Sequence, residues 1–338
     1  MLLIARSSLF SCFGNCFLRF ASFVFFVSAV LASRSQAQDN VNAANTSCVS
    51  SEMVRLLARE GNSIRVSHDT QLVSQKAGAR ENEKGIALTQ EQSTARTLRE
   101  AHDWFEKGAR KGYAPAQVNL AVLSISGWGT PSNAGTALYW LREAARGGYA
   151  LAYFDLGILY LNGCGVRQDY HEAFSQFEQG ANAGDSAAQM DLGYLYDQGL
   201  GVAQDRAEAA VWYRKAAERG VAQAEYNLGD LYVRGEGVPH DESAAFAWFQ
   251  KAAERGHTGA RIMLGTMYAE GRGIEKNLQS AYEWISAATL QGDTRATVAL
   301  SALEHQLTRE QIAESRMCAQ SLAQSGNPHR DAEVALWP

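Results

Sequence analysis

A step of 36 residues constrains this chain more than any other feature. Ala101, Ala137, Ala173, Ala209, Ala245 and Ala281 share one column of that step. Gly112, Gly148, Gly184, Gly220, Gly256 and Gly292 share a second, and Ala116, Ala152, Ala188, Ala224, Ala260 and Ala296 a third. Chance does not leave three such columns unbroken, so the chain is built of repeats. A unit this short cannot bury its apolar face alone and must stack on its neighbours.

Within a unit the pattern reads as two helices. The column Thr97, Asn133, Asp169, Asp205, Asp241, Asn277 supplies side chains that accept from free amides at a helix start. Thr97/Glu100, Asp169/Glu172 and Asp205/Glu208 have the capping-box spacing. Ala209, Trp212, Tyr213 and Ala216 then fall on one face of the first helix, and Gly220 ends it. Ala224, Leu228, Leu231 and Tyr232 mark the second helix. A glycine inside that helix costs about 1 kcal/mol against alanine. Its return as Gly157, Gly193, Gly229 and Gly265 therefore predicts that another helix passes close to the backbone there. Gly-x-Gly turns, such as Gly235/Gly237, close the units.

The run A-x-x-W-[YF]-x-x-A-A-x-x-G (Ala209 to Gly220), followed by A-x-x-x-L-G-x-L-Y (Ala224 to Tyr232) and G-x-G-V (Gly235 to Val238), resembles the Sel1-like repeat family, a relative of the tetratricopeptide repeats. The resemblance spans 97–305, with units starting near 97, 133, 169, 205, 241 and 277. It implies an all-α fold, a right-handed α-α superhelical solenoid of helical hairpins. Ala121 and Ser124 in the first unit, and Ser301 in the last, depart from the pattern, as terminal capping units do. Thr308 and Gln311 open a further helix to about Ala323, within a capping segment 306–338 that covers the open end of the core. The Leu-Trp-Pro tail reads as frayed or loosely packed.

The two flanks have other compositions. Residues 1–37 carry Arg6, Arg19 and Arg34, no acid, an apolar run Phe20–Ala32 and a Ser35-Gln36-Ala37 cleavage pattern. They read as a secretory signal peptide, with an uncleaved anchor as the alternative. Cleavage would remove three positive charges and move the formal charge from −5 to −8, which disfavours a nucleic-acid partner. Residues 38–96 are polar and lack the repeat columns. A short helix at 51–58 and a linker or disordered stretch to about Lys84 are expected there, with a partner-binding arm as the other reading.

Signals of catalysis and cofactor binding are weak. The Gly-x-Gly turns lack the continuation of a phosphate loop, the seven histidines lack metal-ligand spacing, and no hydrolase motif occurs. Catalytic residues, cofactor and metal are each expected to be none. Cys48, Cys164 and Cys318 remain after cleavage. Cys164, at a turn tip, is expected to be a partly exposed, maleimide-reactive thiol, with a redox or crosslinking role as the alternative, and no Cys48–Cys318 bond is expected. Penicillin binding, proposed for a cysteine-rich branch of the resembled family, would go with a cysteine pair in each repeat, which this chain lacks. The column Glu106, Arg142, Glu178, Arg214, Gln250 is expected to pair charges between neighbouring units. The column His102, Leu138, Phe174, Ala210, Phe246, Tyr282 is expected to pack between units, with an exposed apolar groove as the alternative.

The resemblance implies a non-enzymatic adaptor in the periplasm or outside the cell of a bacterium. Its roles would lie in signalling, in exopolysaccharide or envelope assembly, or in host contact. The partner would be another protein, such as an envelope or membrane-receptor component, with no membrane insertion once the leader is cleaved. A penicillin-binding or β-lactamase enzyme and a peptidoglycan binder are the alternatives. Arrays of this kind bind through the first helices of their units. The residues facing away from the core there are Tyr139, Arg142, Arg146, Glu178, Asn182, Arg214, Glu218, Gln250 and Glu254.

Overall fold

The computed structural model describes residues 77–90 and 94–324; the signal-peptide reading, Cys48 and the 325–338 tail lie outside them. Among the described residues there are fourteen helices and no strand. They are α1 (Ala79–Gln90), α2 (Ala95–Arg110), α3 (Ala114–Ser126), α4 (Ala134–Arg146), α5 (Ala150–Asn162), α6 (Tyr170–Asn182) and α7 (Ser186–Gln198). The remainder are α8 (Arg206–Glu218), α9 (Ala222–Arg234), α10 (Glu242–Glu254), α11 (Thr258–Glu270), α12 (Leu278–Leu290), α13 (Ala296–Glu304) and α14 (Arg309–Gln324). The even-numbered helices from α2 to α12 are the first (A) helices of the six units, and each is followed by its second (B) helix. Each helix from α1 to α12 packs on the next, and every B helix from α3 to α11 packs more extensively on the following A helix than on its own. The fold is an all-α solenoid.

The caps follow the sequence with one exception. Asp205 accepts from the amides of Ala207 and Glu208 at 3.0 Å, and Asn133, Asp169, Asp241 and Asn277 cap their helices likewise. The first A helix does not start at Thr97. Its cap is Thr94, and Thr97 closes a reciprocal box with it from the first turn. Threonine serves at either end of such a box, so spacing alone did not choose between them. Thr308 and Gln311 form the expected reciprocal box before α14, which packs on α12.

The glycines inside the B helices make room for large side chains of the next A helix. A Cβ at Gly157, Gly193, Gly229 or Gly265 would lie 2.5–2.9 Å from the side chain of Phe177, Tyr213, Phe249 or Ile285, on the next A helix. The first unit keeps Ala121 here and faces the smaller Leu141. Phe105, Leu141, Phe177, Tyr213, Phe249 and Ile285 form the fully buried column of the core. Trp212 is not among them. It is half-buried against the preceding unit, and the Lys215 ammonium sits 3.6 Å from its ring centroid. Trp248 and Lys251 repeat this at 4.0 Å. Two adjacent residues of one helix cannot both point into one core, and here the second of the pair takes that place.

Two further findings differ from the sequence reading. Helix α1 begins at Ala79, inside the stretch read as linker, and packs on α2 as a B helix packs on the next A helix. Its Gly85 lies 36 residues before Ala121 and faces the Phe105 ring. Cys164 is 1% exposed and disulfide-bonded rather than an exposed thiol. The turn that carries it bends back onto its own unit, where a Cβ at Gly165 would collide with Ala134. Among the described residues the free thiol is Cys318, which is exposed.

Candidate functional site

All nine candidate residues are exposed on the A helices α4, α6, α8 and α10. Their exposure follows from the fold: the opposite side of each A helix carries the buried alanines and the buried column. Tyr139 stands out at 55% exposed. The stripe mixes signs, with Arg142, Arg146 and Arg214 beside Glu178, Glu218 and Glu254.

The expected charge pairing between units gives way to bonds inside each unit. Arg142 donates to the Tyr160 hydroxyl at 2.9 Å, and Arg214 donates to Tyr232 at the same distance. Gln250 donates to Glu254 at 2.9 Å, and Arg146 pairs with Glu143. The aromatic column behaves the same way. Phe174 meets Tyr196 edge-on with centroids 5.3 Å apart, and Phe246 meets Tyr268 at 5.2 Å. Phe246 is 9% exposed and Tyr282 1%, so this column does not form an exposed apolar groove.

One tyrosine column of the B helices, Tyr160, Tyr196, Tyr232 and Tyr268, thus organises the face. Where the A helix offers Leu138 or Ala210, the hydroxyl accepts from an arginine. Where it offers a phenylalanine, the ring is held edge-to-face. The Tyr196 hydroxyl is pushed up by burial and by the nearby Glu178 and Glu208 carboxylates. Each of these tyrosines also accepts, through its carbonyl, the amide of the next A-helix cap, as in Asp241 to Tyr232 at 3.1 Å. In the sequence Tyr232 only marks the second helix, because spacing within a helix does not reveal what its neighbour offers.

The other clusters are bound up in the scaffold. Arg206 bridges Asp197 and Glu236, each at 3.2 Å, and with Glu236 and Asp205 lines a shallow, solvent-open cleft of about 550 Å³. Gln117 and Gln189 donate to the Ala109 and Ala181 carbonyls, and Arg261 at the equivalent position donates to Ala253 and Leu322. Glu225 stands in that column too; burial raises its carboxyl, and Arg255 at 3.1 Å offsets part of the rise. His102, Asp103 and Glu106 are the group of potential metal ligands among the described residues, with ligand atoms within 4.8 Å of one another. Glu106 is already paired with Arg110 at 2.6 Å.

The Sel1 repeat model matches residues 98–113, 114–149, 150–185, 186–221, 222–257 and 259–293. The chain belongs to the Sel1 repeat family. The five blocks from residue 114 onward run from a B helix to the following A helix, the pair that packs most extensively here. A Sel1 repeat protein from Oxalobacter formigenes is similar at 30% identity, over 71% of this chain and 96% of that one, with a TM-score of 0.56. A protective antigen of uropathogenic Escherichia coli strains with an SLR fold is 24% identical over 89% of this chain and 80% of its own, with a TM-score of 0.36. No curated protein matches the chain. Sel1 repeat arrays are scaffolds for protein–protein interaction, generally without catalysis of their own. No helix among the described residues is long and apolar enough to cross a membrane.

Proposed function

We propose that this Sel1 repeat protein is a non-enzymatic binding scaffold of the bacterial cell envelope whose A-helix stripe engages a segment of another protein. The observation that carries this reading is the nine exposed residues on four successive A helices, eight of them in register at the 36-residue step. Extended surfaces built from successive units are how such arrays bind. A polar stripe of both signs suits a contact that salt weakens. The envelope placement rests on the leader pattern of residues 1–37. A disulfide at Cys164 supports it, because disulfides persist in oxidising compartments. The partner would be an envelope or membrane-receptor component, in signalling, exopolysaccharide or envelope assembly, or host contact.

The test is affinity capture with the mature chain from envelope extract at low and high salt, read by mass spectrometry. The reading expects one protein to be retained stoichiometrically at low salt and released at high salt. A covalent adduct with labelled penicillin would instead favour the enzyme reading. Co-sedimentation with peptidoglycan, with no protein retained, would favour a cell-wall binder.

A further inference from the structure

Helices α3 and α5 differ from the B helices that follow them. Ten successive residues of α3, Ala116 to Ile125, are buried. In α5 the buried set is Leu151, Ala152 and every residue from Phe154 to Leu159. On the outer side, one column runs Val118, Phe154, Met190, Tyr226, Ile262 and another Val122, Ile158, Tyr194, Asp230, Thr266. The first two members of each are buried, and the last three are only partly so. The sequences agree with the burial: AVLSIS and FDLGILYL are apolar on nearly every side. A helix that is apolar all round needs cover all round.

The described helices do not supply that cover. α5 packs between α4 and α6 as α9 packs between α8 and α10, with α7 touching it lightly. α1 touches α3 lightly, and Asn119 donates to Asn82 there at 2.9 Å. What lies over the outer face is therefore outside the described residues. Cys164 follows α5 directly and is both buried and disulfide-bonded, while Cys318 is free. The chain's other cysteines are Cys12, Cys16 and Cys48. Cys12 and Cys16 lie within the leader pattern of residues 1–37, and Cys48 lies beyond it.

We propose that residues 45–76 lie across the outer face of α3 and α5 as an intramolecular ligand, clamped by a disulfide between Cys48 and Cys164. The segment has the chemistry for it. Met53, Leu56 and Leu57 recur at helical spacing, and Ile64, Val66, Leu72 and Val73 follow. It also has the reach. The residues between Cys48 and Ala79 span up to roughly 100 Å when extended, against a few tens of Å across two units of helices packed about 10 Å apart. Helix α14 follows the last unit, at the opposite end of the helix order from α3 and α5. In forming the bond the two thiols lose two protons and two electrons to the disulfide of a thiol oxidoreductase, which leaves as a dithiol. The clamp closes the outer face of the first two units and leaves the A-helix stripe for partners.

The test uses the full chain under non-reducing conditions, on the monomeric, helical fraction. Peptide mapping should find Cys164 joined to the peptide containing Cys48. A photo-crosslinking side chain placed at Leu161, on the rim of α5, should link to residues within 45–76. The same side chain at Val233, two units on, should not. Cys164 recovered as a thiol, or joined to another cysteine or a second chain, would overturn the clamp. A crosslink from position 161 into a second copy, into 325–338, or into neither would overturn the docking.

Discussion

Replacing Gly157 with alanine sets two effects against each other. Helix propensity alone favours alanine by about 1 kcal/mol. Against that, the new Cβ would lie 2.5 and 2.6 Å from two Phe177 ring carbons and 2.9 Å from a third. Phe177 is fully buried and also meets Phe154, with centroids 5.9 Å apart, so its ring has nowhere to turn. Overpacking of this kind costs roughly 1–3 kcal/mol, and a contact this short belongs at the upper end. The expected net effect is a loss of about 1–2 kcal/mol. Ala121 facing Leu141 shows the accommodation the fold already uses. Adding Phe177→Leu should therefore rescue Gly157→Ala, with a coupling of about 1 kcal/mol in the double-mutant cycle. Urea unfolding of the full chain, followed by helical circular dichroism, measures all four species. A Gly157→Ala variant more stable by about 1 kcal/mol, with no coupling to Phe177, would show that no ring occupies that space.

Other predictions follow from single columns. Tyr213→Ala should cost about 3–5 kcal/mol and Trp212→Ala clearly less, roughly 1–3, since the first ring is fully buried and the second is not; equal losses by urea unfolding would contradict the assignment. Glu225→Gln should be neutral or stabilising, because Gln117 and Gln189 show glutamine bonding a carbonyl at that position, whereas Arg255→Ala should destabilise by about 1–3 kcal/mol through a buried, unpaired carboxylate. His257 caps α11 by accepting the Ala260 amide at Nδ1, and burial lowers it to about 4 from an ordinary 6.5. The folded state resists protonating it, so stability present above pH 6.5 should fall by up to about 3 kcal/mol as pH drops toward 4, and His257→Asn should remove that slope. Native maleimide labelling without reductant should map to Cys318 and leave Cys164 unlabelled.

The repeat was legible because each column answers to a local rule. Asp205 announces a helix start. Gly229 announces a close helix, and the Phe249 ring occupies the place its Cβ would take. The exposed stripe was legible for the same reason, as the complement of the core face. What escaped depends on more than one helix at a time. Trp212 and Tyr213 are neighbours in sequence, and only the packing angle decides which one is buried. The Arg214 bond to Tyr232 joins two helices whose mutual rotation no spacing states. Helix α1 keeps Gly85 but has Arg80 and Lys84 where other units have alanine and leucine, so its register was hidden. Cys164 sits at a turn tip that looks exposed until the turn bends back onto the unit.

The most direct test of the binding face is the combined variant Arg142→Ala, Arg146→Ala, Arg214→Ala, assayed against the captured partner. The bonds these arginines make are exposed and contribute about 0–1 kcal/mol each, so the helical signal should persist and Tm should move little. The account predicts that this folded variant no longer retains the partner, at a salt concentration where the wild-type chain does. Retention equal to wild type would place the contact elsewhere and contradict it.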